Sequence, residues 1–192
     1  MQDYEKLRQH YAKLEDEELI ELALQGAETL RPEALEVLQS EVGRRRLGQE
    51  VQEGIDAQLR DFTPAQQAEL VDRFRQLPCP LSGGTNGLLN AFSVAEAKSF
   101  VFFTAYREWL LVGCPPCIQK ASNKTYRTTV LLGWWCIPWG LFRTLQALGM
   151  NNRAKCAGEH TEPTPELLEY VKVNRGIITA LMIKGSEEGE FY

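Results

Sequence analysis

Hydrophobic positions in the first third of the chain recur at helical spacing. Leu14, Leu19, Leu22 and Ala23 follow the acidic start Glu15-Asp16-Glu17-Glu18, which suits the positive end of a helix. Pro32 opens the next periodic stretch, with Leu35, Leu38 and Val42 as its apolar stripe and Arg44-Arg45-Arg46 in its last turn before Gly48. Residues 3–60 are therefore predicted helical. Thr63-Pro64-Ala65-Gln66 is a capping box with proline at the first helical position, which predicts a helix over 64–77, stopped by Pro78 and Pro80. The glycine-rich loop 81–87 that follows is the predicted domain boundary.

Beyond that loop the apolar residues become aromatic and β-branched. The pattern predicts three short antiparallel strands over 88–94, 99–106 and 108–112. A competing helix over 94–105, capped by Ser93 and Glu96, is outweighed by the run Phe100-Val101-Phe102-Phe103-Thr104. Helical periodicity returns after Cys117 and reaches about Leu132. Pro138 breaks it, and a second helix is predicted from about Trp139 to about Leu148, ended by Asn151-Asn152. Thr164-Pro165 opens a last helix with Leu167, Leu168 and Val171, kinked at Gly176, and the acidic tail 185–192 is predicted to fray. The expected fold class is α+β: a helical region over 1–78, a small antiparallel β-meander and tryptophan-rich helices over 79–184, and a flexible tail.

Charge divides along the same lines. The chain of 192 residues carries a net −5, yet residues 79–160 hold eight Lys/Arg against three Asp/Glu, between two acidic flanks. That basic middle suits an anionic partner or pairing with the flanks. The triple arginine 44–46 reads as a helix C-terminal device rather than a nucleic-acid patch, since its surroundings are acidic. The N-terminal residues are charged where a signal peptide needs an apolar core, and five cysteines are an odd number. Both point to a reducing cytoplasm. The uncharged apolar run 128–142 is too short and too broken by Pro138 for a membrane span.

Two features carry unusual chemistry. Cys114-Pro115-Pro116-Cys117 has the spacing of a zinc knuckle, which must present two thiolates to one tetrahedral ion from the same side. Its partner would lie before the strands, where Cys79-Pro80-Leu81-Ser82 repeats the frame with serine at the last position. The other feature is 130–150, which holds Trp134, Trp135 and Trp139, with Trp109 just upstream. Arg127, Arg143, Arg153 and Lys155 accompany it without an acidic residue, a composition that suits an interfacial helical hairpin on anionic lipid. Packing of the same tryptophans as a core competes with that reading. No phosphate loop, catalytic triad or Cys-His pair can be argued from spacing: His10 lies in a charged helix, His160 in a loop, and 82–87 lacks a following Lys-Ser/Thr.

The residues Cys79, Cys114, Cys117, Gly133-Trp134-Trp135-Cys136-Ile137-Pro138-Trp139-Gly140 and Asn151 or Asn152 resemble a group of bacterial proteins of no assigned function. These carry C-P-x-C, a β-meander, a second C-P-x-C, a G-W-W-x-I-P-W-G segment, a helix and an asparagine. The resemblance covers roughly 76–180. It implies a zinc-ribbon-like domain followed by a tryptophan-rich, membrane-contacting segment, and no enzyme activity. Leu14 to Leu19 and Arg45-Arg46-Leu47-Gly48 further resemble a short helical module found at the start of many bacterial proteins. Ser82 stands where the family has a ligand cysteine and Cys136 where glycine is usual.

Three readings of the cysteines stay open. The ribbon shape persists without metal; or Cys79, Cys114 and Cys117 bind zinc with water, Cys136, Cys156 or His160 as fourth ligand; or Cys114 and Cys117 form a thiol-redox pair. The expected function is a non-enzymatic interaction or adaptor protein, cytoplasmic and peripheral on the inner membrane face. Contact with a protein partner or an anionic membrane surface falls to Trp134, Trp135, Trp139 and Arg143; nucleic acid and small-molecule substrates are disfavoured. The alternative is a thiol-disulfide redox protein using Cys114 and Cys117.

Overall fold

The computed structural model describes residues 2–100, 103–135 and 139–188, apart from the side chains of residues 2, 3, 139, 140 and 186–188. The order of elements is α1 (Gln2–Tyr11), α2 (Asp16–Gln25), a 3-10 turn (Ala27–Thr29), α3 (Pro32–Arg45), α4 (Gln49–Leu59) and α5 (Pro64–Arg75). Two strands follow, β1 (Asn90–Phe100) and β2 (Phe103–Gly113). Then come α6 (Pro115–Leu132), α7 (Trp139–Lys155), a 3-10 turn (Ala157–Glu159), α8 (Pro165–Val173) and α9 (Arg175–Glu188). The expected α+β class, with helices at both ends, is what the structure shows. The chain divides into two compact units, 1–67 with 171–192, and 68–170. The loop 81–87, the predicted boundary, lies inside the second unit, and residues 171–188 belong with the N-terminal helices. Residues 185–188 extend α9, while 189–192 lie outside the described residues.

In the first unit the cap expected at Thr63 is in place, and α2 carries another that its acidic start alone did not specify. Glu15 and Glu18 form a reciprocal capping box at the start of α2, and Thr63 and Gln66 form one at the start of α5. The core gathers Leu19, Leu24, Leu38, Val42 and Ile55, joined by Ala180 from α9. Arg175 at the head of α9 bonds the Gln58 carbonyl of α4 and pairs with Glu28 at 2.7 Å.

The triple arginine does its capping for another helix. Arg45 reaches the carbonyls of Tyr11 at 3.0 Å and Ala12 at 3.1 Å, where α1 ends, and that of Leu14 at 2.7 Å. It also pairs with Glu41 at 2.7 Å and Asp16 at 2.8 Å. A cation is favoured at that end of a helix, where carbonyls lack partners.

The second unit is built on a hairpin. Between 94 and 99 the chain has no Gly, Pro or Asn to turn it, so the first expected strand runs on to Phe100 as β1; the second is divided, its residues 103–106 joining the third in β2. Their register runs from Asn90 opposite Gly113 to Phe100 opposite Phe103. The meander is therefore corrected to a two-stranded hairpin, and the competing helix over 94–105 is absent from the described residues.

Helices supply what a third strand would. Ala95 pairs with Glu108, yet both its N–H and its C=O go to the amide of Asn151 in α7, at 3.1 and 2.7 Å. Those groups point away from β2, along the free edge of β1. Further along that edge the Ala97 N–H donates to Thr129 Oγ1 of α6 at 3.3 Å, and the Thr164 hydroxyl, just before α8, lies 2.6 Å from the Ala91 carbonyl. Asn151 is fully buried. This is why α7 continues past the predicted stop at 148: Asn151 sits inside the helix with its side chain committed to the strand. On the side chains the hairpin packs Phe92, Val94 and Leu111 against Ile118 and Ala154, and the half-buried Trp109 joins them.

Two predictions follow from these contacts. Asn151→Ala leaves the Ala95 N–H and C=O buried without partners, and should destabilise the protein by about 3 kcal/mol, read from urea unfolding. In the first unit, the hydrogen bond from Arg44 chiefly, with Arg45 adding to it against the opposing effect of burial, lowers the Glu41 carboxyl from 4.5 to about 2. A carboxyl depressed on folding stabilises fully above its unfolded value and loses that contribution as pH falls through its folded value. Acid titration by circular dichroism should therefore show stability falling between pH 4.5 and about 2, with a flatter profile in Glu41→Gln.

Candidate metal centre

The three cysteines singled out by spacing come together in the second unit. The Sγ atoms of Cys79, Cys114 and Cys117 all lie within 4.8 Å of one another. Cys79 and Cys114 are buried, and Cys117 is partly exposed.

Local rules put each thiol there. Cys114 is the N-cap of α6, in extended backbone, with Pro115 and Pro116 in the first helical positions. Neither proline has an N–H to waste at a helix start. Cys117 is then the third residue of the helix, and its N–H bonds the Cys114 carbonyl at 3.0 Å. Side chains at the N-cap and third positions meet, as they do in a capping box. The C-P-P-C spacing therefore delivers two sulfurs to one side as a consequence of helix geometry. In this chain the second knuckle opens a helix, where in a ribbon it would turn into a strand.

Cys79 comes from the loop after α5. Its carbonyl accepts from Ser82 at 3.2 Å and Gly83 at 2.7 Å, and its N–H donates to Gly84 at 2.9 Å, which closes a tight knuckle. The base of the hairpin meets this knuckle directly: the Cys114 N–H donates to Cys79 Sγ at 3.2 Å. Gly113 permits the approach, since a Cβ there would stand 2.9 Å from Leu81 Cδ1 and 3.4 Å from Cys79 Sγ.

The electrostatics separate the thiols. Burial pushes Cys79 up, but the Cys114 N–H, the Ser82 hydroxyl, the Leu81 N–H and the Cys114 thiol together bring it down to about 6. Cys114 goes the other way, pushed up by burial and by its sulfur neighbours, against the Cys117 N–H. A thiol-disulfide enzyme needs the reverse, an exposed attacking cysteine with a depressed thiol at the helix start. Cys114 is fully buried and raised.

The donor set fits a soft tetrahedral ion. Zn–S bonds of about 2.3 Å place ligand sulfurs about 3.8 Å apart, which agrees with a triangle whose edges are all under 4.8 Å. Three sulfurs favour zinc or iron over calcium or magnesium. N–H···S bonds such as that from Cys114 are the kind of outer contact that orients metal ligands. Among the described residues neither Cys156 nor His160 joins the cluster; the His160 ring packs tilted against Phe92, centroids 5.4 Å apart. Cys136 lies outside the described residues. Ser82, at the fourth position of the first knuckle, is the group whose hydroxyl helps hold Cys79 down.

Trp134 and Trp135 follow Gly133, which Ser99 holds near the tip of the hairpin, away from the base where the thiols sit. Trp134 is 41% and Trp135 68% exposed, so neither forms core. Trp139 opens α7, and its side chain lies outside the described residues. Arg143 stacks over the Tyr106 ring at 4.8 Å. Sequence reasoning missed Phe100 and Phe103, which stack with centroids 4.8 Å apart and stay exposed at the hairpin tip. The missed signal was that two aromatics flank the turn of one hairpin, which three separate strands obscured.

Gly113→Ala should cost about 1 kcal/mol in thermal unfolding, as Leu81 is pushed aside and Cys79 is crowded, and Gly113→Val should cost more. No family model, curated protein or solved structure matches this chain.

Proposed function

We propose that the protein is a non-enzymatic interaction module whose second unit is stapled by zinc at Cys79, Cys114 and Cys117 and makes its contacts through the tryptophan-bearing end. The observation that carries this reading is the separation of the two features along one hairpin. The thiols close its base beside Asn90 and Gly113; the exposed aromatics sit at its tip beside Phe100 and Phe103. Ten residue steps at about 3.3 Å put them about 30 Å apart.

Zinc in that position would tie the loop after α5 to the start of α6, two segments 35 residues apart in sequence. Cross-linking distant segments is how structural zinc contributes folding energy. The fourth ligand is water or Ser82, so the centre is a ribbon knuckle pair with one thiolate lost. The C-P-x-x frame repeated at Cys79 and Cys114 supports the same assignment, and in this reading the protein acts at the inner face of a membrane. The partner is a protein or an anionic membrane surface.

The purified full-length protein should contain about one zinc per chain by elemental analysis. Cobalt(II) titration should give thiolate charge-transfer bands that Cys79→Ser and Cys114→Ser abolish. Ser82→Cys, which restores the fourth thiolate without removing one, should tighten metal binding and raise the melting temperature. A protein that binds neither ion, and that Ser82→Cys leaves unable to, would end the zinc part of the proposal.

A further inference from the structure

Ten of the eighteen large hydrophobic side chains exposed among the described residues fall at one end of the second unit. Phe100 and Phe103 come from the hairpin tip; Val130, Leu131, Leu132, Trp134 and Trp135 from the end of α6; Leu141, Phe142 and Leu145 from the start of α7. Hydrogen bonds join the three pieces. The Ser99 hydroxyl donates to the Gly133 carbonyl at 2.5 Å, and the Thr144 hydroxyl donates to the same carbonyl at 2.6 Å. Gly133 has no room for a side chain, because a Cβ would meet the Thr129 carbonyl at 2.6 Å. An apolar concentration of this kind on a folded unit marks a contact surface.

Resting on the contact reading above, we propose that this end inserts into the interfacial layer of an anionic lipid bilayer. Three observations favour lipid over a protein groove. First, three backbone carbonyls at that end take partners from within the unit. The Thr129 carbonyl takes the Gly133 N–H, the Val130 carbonyl takes the Trp134 indole N–H at 2.8 Å, and the Gly133 carbonyl takes the two hydroxyls. A helix end in water leaves such carbonyls to solvent; one that enters lipid must satisfy them internally. The Trp134 indole N–H is therefore not carried unpaired into an apolar layer.

Second, the charge is one-sided. Residues 115–155 hold six Lys/Arg and no Asp/Glu. Lys120, Lys124 and Arg127 have no carboxylate partner among the described residues. Of the two carboxylates on the hairpin strands, Glu96 is paired with Lys98 at 2.9 Å, and Glu108 lies beside the Tyr106 hydroxyl. Third, an open groove of about 700 Å³ runs along α6 from Lys120 past Lys124 and Arg127 to Leu131 and Leu132. Basic groups at one end and leucines at the other match a phosphate headgroup and the start of its acyl chain. No described helix is long and apolar enough to cross a membrane, so insertion is confined to the interface.

The test is co-sedimentation of the zinc-loaded full-length protein with two kinds of vesicle. One is phosphatidylcholine alone; the other has about one third phosphatidylglycerol, enough for a negative surface potential. Binding should require the anionic vesicles, weaken with salt and shift tryptophan emission to the blue. Arg127→Glu should weaken it roughly thirtyfold, from about 1 kcal/mol per charge near the surface. Trp135→Ser and Phe103→Ser should each weaken it roughly tenfold, with zinc content and far-ultraviolet dichroism unchanged.

Wild-type protein that sediments with neither vesicle, or variants that bind as well as wild type, would overturn the proposal. Self-association in light scattering that Trp135→Ser abolishes, without vesicle binding, would assign the surface to a second copy of the chain and leave the contact reading intact. Loss of zinc from the wild type would count against the metal staple alone.

Discussion

A two-stranded hairpin has two free edges, and each exposes backbone groups that water or protein must satisfy. The second unit depends on how one of them is covered. Asn151 answers both backbone groups of Ala95, Thr129 answers Ala97, and Thr164 answers Ala91. Three side chains from three helical segments replace the third strand. Asn90 ties in the last of them, its Oδ1 accepting from the Thr164 N–H at 3.0 Å and its Nδ2 donating to the Glu162 carbonyl at 2.9 Å. Isolated hairpins are marginal in water. Buried polar groups that are fully partnered specify one arrangement of the helices around this one.

That arrangement places both candidate sites. Where the strands begin and end, the chain must leave the hairpin toward α5 and α6, and the cysteines occupy those two exits. At the opposite end it turns twice, once at the strand tip and once at Gly133, and the exposed aromatics occupy those turns. The thiol cluster is inward, hydrogen-bonded and electrostatically uneven, the qualities of a structural centre. The aromatic end is outward, with the Thr129, Val130 and Gly133 carbonyls held from within, the qualities of a surface meant for covering.

Much of the local structure was legible because it obeys short-range rules. The capping box at Thr63, proline at the head of α3, α5 and α8, and the thiol knuckles all depend on residues within four positions of each other. The errors lay where local rules meet long-range contacts. Asn151-Asn152 was a reasonable helix stop, but a strand 56 residues earlier uses Asn151 inside the helix. Gly176 was expected to kink one helix; instead the chain breaks into α8 and α9, and α9 joins the first unit through Arg175 and Ala180.

By itself the sequence determined the α+β class, the helix starts at Pro32, Pro64 and Pro165, the candidate thiols Cys79, Cys114 and Cys117, and the one-sided charge of 115–155. These follow from backbone geometry and composition, which act within a few residues. Only the tertiary structure decided how closely Cys79 approaches Cys114 and Cys117, that the strands are two rather than three, and which tryptophans face outward. Each of those rests on segments far apart in the chain, brought together by the polar groups along β1, and periodicity within a short window carries no information about such partners.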